Sequence, residues 1–304
     1  MLKSKFICCK LYISESRNAM AIDAIDRAAR IDPQVVVITK FEDCIYNRVR
    51  YTLVSYIDND SSTGGEVVYS PIRKVLLRMM EAAFSTIELK SHTGTHPRMG
   101  VNDDLSFHPF GEATMEDAAC LAKLVASDIG NDLQVPVFLY AAAHPTGKSV
   151  GAIRRELGYY RPNYKETQWA GSMLPDVLPI KPDVGSTNVP PERGAITVGA
   201  TPFLEGYNVP VLSKDIATVR RITRRLTGRG GGLPTVQAMA LLHGDDCTEV
   251  ACLLDPDHVH AFHIQTVVEQ IATEQGLEVE KGYFTDVTKD RILDKYLKLD
   301  CADD

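Results

Sequence analysis

A chain of 304 residues, 44% hydrophobic and 24% charged, has the composition of one large or two ordinary globular domains, which excludes a disordered chain. Its formal net charge of -7 excludes broad nucleic-acid binding as the default, because that affinity comes from neutralising phosphates with Lys and Arg, and a small-molecule partner becomes the expectation. Seven scattered cysteines, an odd number and dilute for this length, predict a reducing compartment such as the cytosol rather than a disulfide framework.

At the N-terminus Lys10 cuts short the apolar run beginning at Phe6, so no secretory signal is expected. No uncharged apolar stretch approaches the roughly 20 residues that span a bilayer, which limits any membrane contact to a peripheral one. Residues 5–13 are predicted as a strand, 17–31 as an amphipathic helix and Val35 to Ile38 as a buried strand. Arg50 to Ile57 alternates as a strand, 69–85 has helical periodicity, and 86–90 reads as a short strand. That order is β-α-β-β-α-β. A capping box at Thr114 to Asp117 starts a further helix, and Val135 to Ala142 follows as a strand.

Residues 143–193 hold seven of the sixteen prolines and are predicted as helical fragments and irregular loop. Beyond them, strands are predicted at 195–201, 207–212, 236–242, 248–254 and 278–284, with helices at 213–226, 258–275 and 287–297. From 207 the order is again β-α-β-β-α-β. The expected fold class is therefore α+β, two ferredoxin-like (βαββαβ) subdomains covering 1–184 and 185–304, with a ligand cleft or tunnel between them.

The chemistry concentrates after residue 90. His92, His96, Arg98, Asp103, Asp104 and His108 lie in a segment too rich in Gly, Pro and Thr to continue a helix, providing near-neutral bases, a fixed cation and carboxylates that can orient an imidazole. His243, Cys247, Cys252, His258, His260 and His263 invite a metal reading. Strand geometry argues against it, because Cys247 and Cys252, five positions apart, point to opposite faces. The Gly228 to Pro234 run lacks the Lys-Ser/Thr of a phosphate loop, and Arg220, Arg221, Arg224 and Arg225 form either a solvated helix face or a basic rim.

These residues carry a resemblance. His96-Pro97-Arg98-Met99-Gly100 with Gly94 before it, Asn47-Arg48 leading into Tyr51-Thr52, Val135 to Tyr140, Pro182 to Gly185, Gly194 to Ala200 and Gly232-Leu233-Pro234 together resemble the formiminotransferase domain of formimidoyltransferase-cyclodeaminase, in the same order. The resemblance implies two related α/β subdomains around a site where tetrahydrofolate, often polyglutamylated, meets N-formimino-L-glutamate. Tetrahydrofolate is then the co-substrate, with no metal and no nucleic acid. The family's catalytic histidine falls on His96, and Asn47, Arg48 and Arg98 would bind substrate carboxylates. Folate contacts fall on Asp183, Gly185, Ser186, Thr187, Asn188, Val189, Pro190, Pro191, Glu192, Arg193 and Gly194.

The sequence also departs from the family pattern. The family's Pro-Asn-Phe-Ser-Glu-Gly is here Leu11 to Ser16, keeping only Ser14 and Glu15. Phe41 stands where a catalytic-site aspartate is expected, Thr201 and Pro202 replace two basic groups, and Gly282 to Asp286 replaces a glycine-rich strand end. The cyclodeaminase half is not in this sequence. The alternative is a catalytically impaired relative that keeps folate binding or acts as a protein-interaction module, peripherally at Golgi or vesicle surfaces, and a homo-oligomer is an additional expectation. A hydrolase using His96 and Asp103 is a third reading, without an evident Ser or Cys nucleophile.

Overall fold

The computed structural model describes residues 5–59, 68–161, 163, 168–175 and 177–300. The chain opens with β1 (Lys5–Ile13), α1 (Ala19–Ala28), β2 (Val35–Asp43) and β3 (Arg48–Tyr56), then the two-residue strands β4 (Asp58–Asn59) and β5 (Val68–Tyr69) and helix α2 (Ile72–Thr86). It continues through β6 (Thr93–Gly94), β7 (Asn102–Gly111), α3 (Met115–Asp132), β8 (Val137–Ala141), α4 (Val150–Glu156), β9 (Trp169–Ala170) and β10 (Ile196–Ala200). The remainder is β11 (Glu205–Val211), α5 (Ile216–Leu226), β12 (Gln237–Leu242), β13 (Thr248–Leu254), α6 (Ala261–Thr273), β14 (Tyr283–Phe284) and α7 (Lys289–Asp300).

Two compact units result, dividing between Pro202 and Phe203, with the chain from Leu293 joining the first. The first unit is built on a six-stranded sheet of order β2-β3-β1-β7-β10-β8. Its antiparallel part, β2-β3-β1-β7, has the ferredoxin-like order, in which the first and third strands of the βαββαβ unit are central. Strands β10 and β8 extend it in parallel, Thr197 lying opposite Asp104 and Phe138.

Two expectations change here. The fourth strand of the first unit is β7, and 86–90 instead ends α2 and forms a 3-10 turn at Leu89–Ser91. The boundary expected at 184/185 falls later, because β10 is hydrogen-bonded between β7 and β8 and so draws residues up to 202 into the first unit.

Alternation along the strands sets the layers. Ile7, Cys9, Leu11 and Ile13 of β1, Val49, Tyr51 and Leu53 of β3, and Leu105 and Phe107 of β7 face a core shared with α1, α2 and α3. Asn18 caps α1 by accepting from Ala21 N, and Ile22 and Ile25 enter the core from that helix. On α2, Val75, Leu76, Met79 and Met80 are buried at helical spacing. The capping box forms as expected, Thr114 Oγ1 accepting from Asp117 N at 3.1 Å while Asp117 accepts from Thr114 N at 2.9 Å. Burying each such Leu, Ile or Met contributes roughly 1.5–3 kcal/mol.

The second unit repeats the order, β12-β13-β11-β14, with its own core of Val209, Ile222, Leu226, Val250, Ile264 and Val268. Its last ladder is interrupted: Tyr283–Phe284 pairs with β11, and Val279 bridges separately to Val211. No helix among the described residues is long and apolar enough to cross a membrane.

Candidate active site

The face of the first sheet opposite the helices is polar. It carries Lys10 and Tyr12 on β1, Arg48, Arg50 and Thr52 on β3, Asp104, Ser106 and His108 on β7, and Thr197 on β10. Most of these side chains are buried, so they must find partners within the protein. Thr197 Oγ1 donates to Asp104 Oδ1 at 2.5 Å, Tyr140 donates to Asp104 Oδ2 at 3.3 Å, and Ser106 Oγ lies 3.0 Å from His108 Nε2. The Arg48 and Arg50 guanidinium groups sit over the Tyr12 ring at 5.1 and 5.8 Å. Phe41, where the resemblance calls for an aspartate, packs its ring against the same Arg50 at 5.5 Å.

Beside this face runs the His92–Gly100 loop. Gly94 pairs with Trp169 and approaches the 43–47 turn so closely that a Cβ would lie 2.3 Å from Tyr46 O. Arg98, 1% exposed, donates to the carbonyls of His92, Trp169 and His96 at 3.4, 3.3 and 2.8 Å. It therefore braces the loop from inside. Asn47 also serves the backbone. It adopts a left-handed conformation (φ 52°), accepts from Ser16 N and donates to Thr93 O, both at 2.9 Å.

Gly100 closes the loop through a bridge to Gly194, and a Cβ there would meet Ala195 O at 2.5 Å and Arg193 O at 2.6 Å. Gly100→Ala is expected to destabilise the fold by about 1–3 kcal/mol. Denaturant unfolding checks it, and an unchanged midpoint would mean that this approach does not constrain the loop.

His96 stands half-buried at the edge of this assembly, with the Tyr46 ring edge-on at 5.7 Å. Its Nδ1 lies 2.7 Å from Pro97 O. Pro97 O only accepts and Arg48 Nη1 only donates, so Nδ1 serves the first when it carries the hydrogen, which leaves Nε2 its lone pair, and the second when the hydrogen is on Nε2. Arg48 Nη1, 3.1 Å from the same nitrogen, also reaches Pro97 O at 3.5 Å, while Arg48 Nη2 donates to Asp103 Oδ2 at 2.7 Å. Tyr159 donates to Pro97 O at 2.9 Å, and Asp103 Oδ1 accepts from Met99 N at 2.5 Å.

The electrostatics follow from this packing. Burial, then the Arg48 charge, push the His96 imidazole well below its ordinary range. Burial alone would raise the Asp103 carboxyl, but Arg48 and Arg154 outweigh it and hold it at about 2. Burial pushes Asp104 up, with Arg154 and Thr197 opposing. His92, buried with neither ring nitrogen hydrogen-bonded among the described residues and pushed down to about 3 by burial and then Arg98, is neutral. A base whose pKa is lowered stays deprotonated as pH falls through 6.5. The acid limb of any His96-dependent kcat/KM profile is thus expected below pH 6.5; a limb above 7 would contradict it.

The structure brings His96 and Arg48 together and places the expected folate tract along the surface of the same unit. Asp183 Oδ2 accepts from Leu139 N at 2.8 Å, Ser186 Oγ accepts from Asn188 N at 3.0 Å, Glu192 pairs with Lys90 at 2.6 Å, and Arg193 donates to Leu133 O at 2.6 Å. Gly185, Thr187, Asn188 and Pro191 are exposed and Val189 and Pro190 half-buried, while Gly194 brings the tract to the end of the His96 loop. Arg154, Tyr159, Tyr140 and Thr197 do not stand out in the sequence as site residues. Arg154 and Tyr159 sit in a segment read as irregular, and only their local helical spacing could have drawn notice. Among the described residues no group of three or more His, Cys, Asp or Glu is disposed to hold a metal ion.

Known proteins of one family match this chain along its length. Residues 6–201 match the formiminotransferase domain, N-terminal subdomain. A formiminotransferase cyclodeaminase-like protein of Arabidopsis thaliana is 43% identical over 300 residues, covering 98% of this chain and 99% of the relative. A glutamate formimidoyltransferase of Streptococcus pyogenes serotype M1 is 27% identical, covering 80% of this chain and 74% of the relative. The formimidoyltransferase-cyclodeaminase of Mus musculus is 30% identical over 89% of this chain, which spans 47% of that longer protein.

Proposed function

The chain belongs to the formiminotransferase family, and on that basis we propose that it transfers the formimino group of N-formimino-L-glutamate to N5 of tetrahydrofolate. The observation that carries this reading is His96, neutral and 2.7 Å from Pro97 O through Nδ1; with the hydrogen on Nδ1, Nε2 is the base. As N5 attacks the formimino carbon, the new N5–C bond forms and the N5 proton passes to Nε2. The bond from that carbon to the glutamate nitrogen then breaks, and Nε2 returns the proton to the departing nitrogen. The electrons and protons balance without another reactant.

The neighbours support the same assignment. The Arg48 guanidinium, 11% exposed, is the cation next to His96 and would attract a substrate carboxylate, while Asp103 holds that guanidinium in place. The folate is proposed to lie along 183–194, a placement supported by the Gly100–Gly194 bridge that ties this tract to the catalytic loop. Purified protein supplied with tetrahydrofolate and N-formimino-L-glutamate is expected to form 5-formiminotetrahydrofolate and glutamate in equal amounts. Folate binding without product would refute the transfer.

A further inference from the structure

Neighbouring residues of a strand normally point to opposite faces, yet Asp103 and Asp104 meet the same guanidinium. The cause is a register shift between β1 and β7: Tyr12 pairs with Asp104 and Ile13 with Asn102, leaving Asp103 as the extra residue of a bulge. Asp103 and Asp104 thus both turn to Arg154 of α4, whose Nη2 lies 3.5 Å from Asp103 Oδ2, 3.3 Å from Asp104 Oδ1 and 3.3 Å from Thr197 Oγ1.

The two carboxylates are not equivalent. The Asp103 side chain is 0% exposed, whereas those of Asp104 and Arg154 are 11% and 13% exposed. Only the latter pair is open to a ligand. Arg154 spends one nitrogen on the protein: its Nε is buried without an acceptor, Nη1 has no hydrogen bond among the described residues, and the plane stacks on the Tyr159 ring at 4.7 Å. Nη1 is therefore the guanidinium nitrogen that a ligand oxygen would engage. Asp104 accepts from Thr197, Tyr140 and Arg154, fewer than the roughly four positions a carboxylate offers.

We propose that Arg154 and Asp104 form a subsite for an amino-acid-type ligand, the guanidinium taking its α-carboxylate and Asp104 the cationic nitrogen on the same carbon. Arg48 and Arg154 already balance Asp103 and Asp104, so a ligand bringing one charge of each sign keeps the cluster neutral, whereas an anion alone does not. N-formimino-L-glutamate, an amidinium beside a carboxylate, has this pattern, as does glutamate. The naming of the donor rests on the transfer reading above; the subsite itself does not.

Calorimetric titration with L-glutamate, N-formimino-L-glutamate and glutarate, which lacks the nitrogen, tests it. Wild type is expected to bind the two nitrogen-bearing ligands about tenfold more tightly than glutarate. Asp104→Asn, nearly isosteric, is expected to erase that preference, and Arg154→Gln to weaken all three about tenfold. Arg154→Lys, which keeps the charge but loses the fork, replaces Arg154→Gln if the latter does not fold. Folded variants that bind as wild type does, or a wild type that binds none of the three, would overturn the subsite. Variant-sensitive binding without transfer would refute the transfer reading alone. Transfer with the donor KM unchanged in the variants would refute the subsite alone.

Discussion

Replacing His96 with alanine is expected to lower kcat for formimino transfer by about 10²–10⁴-fold, the usual contribution of a positioned general acid–base, with folate affinity nearly unchanged. The separation follows from geometry. The loop is braced by Arg98, Asn47 and the Gly100 bridge, none of which depends on the imidazole itself. Free imidazole is expected to restore part of the lost rate through the space left by the ring. A fall of less than about threefold would mean that the proton travels by another group.

The second large effect concerns stability. Asp103 is fully buried, accepts from Met99 N, and neutralises both Arg48 and Arg154. Asp103→Asn is expected to cost about 3–5 kcal/mol, because it leaves the Arg48 guanidinium in the interior without its counter-charge and Arg154 with Asp104 alone. The sign of the pH dependence can be worked out. The folded carboxyl is held at about 2, below its unfolded value, so its contribution is present above the ordinary carboxylate pKa of about 4 and is lost as pH falls through 2. Urea midpoints between pH 2 and 7 would reveal it. A variant as stable as wild type at pH 7, with the same acid sensitivity, would show that the ion pairs contribute nothing net.

Much of the scaffold was legible in the sequence because binary patterning determines it. Val35 to Ile38, the 50–57 alternation, the Thr114 capping box and the second βαββαβ unit all express a hydrophobic face at strand or helix period. Strand β7 escaped notice because its outward positions are Asp104, Ser106 and His108, so a strand with one apolar and one functional face reads as a polar loop. The early boundary at 184 had a similar origin: β10 is short and joins the first sheet in parallel, a long-range pairing that no local pattern encodes.

The site divides along the same line. His96 and Arg48 stand out as residue types in a motif, and the structure joins them. Arg98 carries the same motif signal but turns inward to three carbonyls, since sequence does not specify which way a loop side chain points. Asp104 stands out in the sequence, but the meeting of Asp103 and Asp104 at Arg154 depends on a one-residue bulge, a feature set by the register of β1 against β7.

The most direct test follows the transferred carbon. With N-formimino-L-glutamate labelled with ¹³C at the formimino carbon, NMR of a mixture with tetrahydrofolate and wild-type protein is expected to show the donor resonance replaced, one for one, by a folate-bound resonance, and little change with His96→Ala. A label that stays on the donor, or appears as formate released to water, would contradict formimino transfer by this chain.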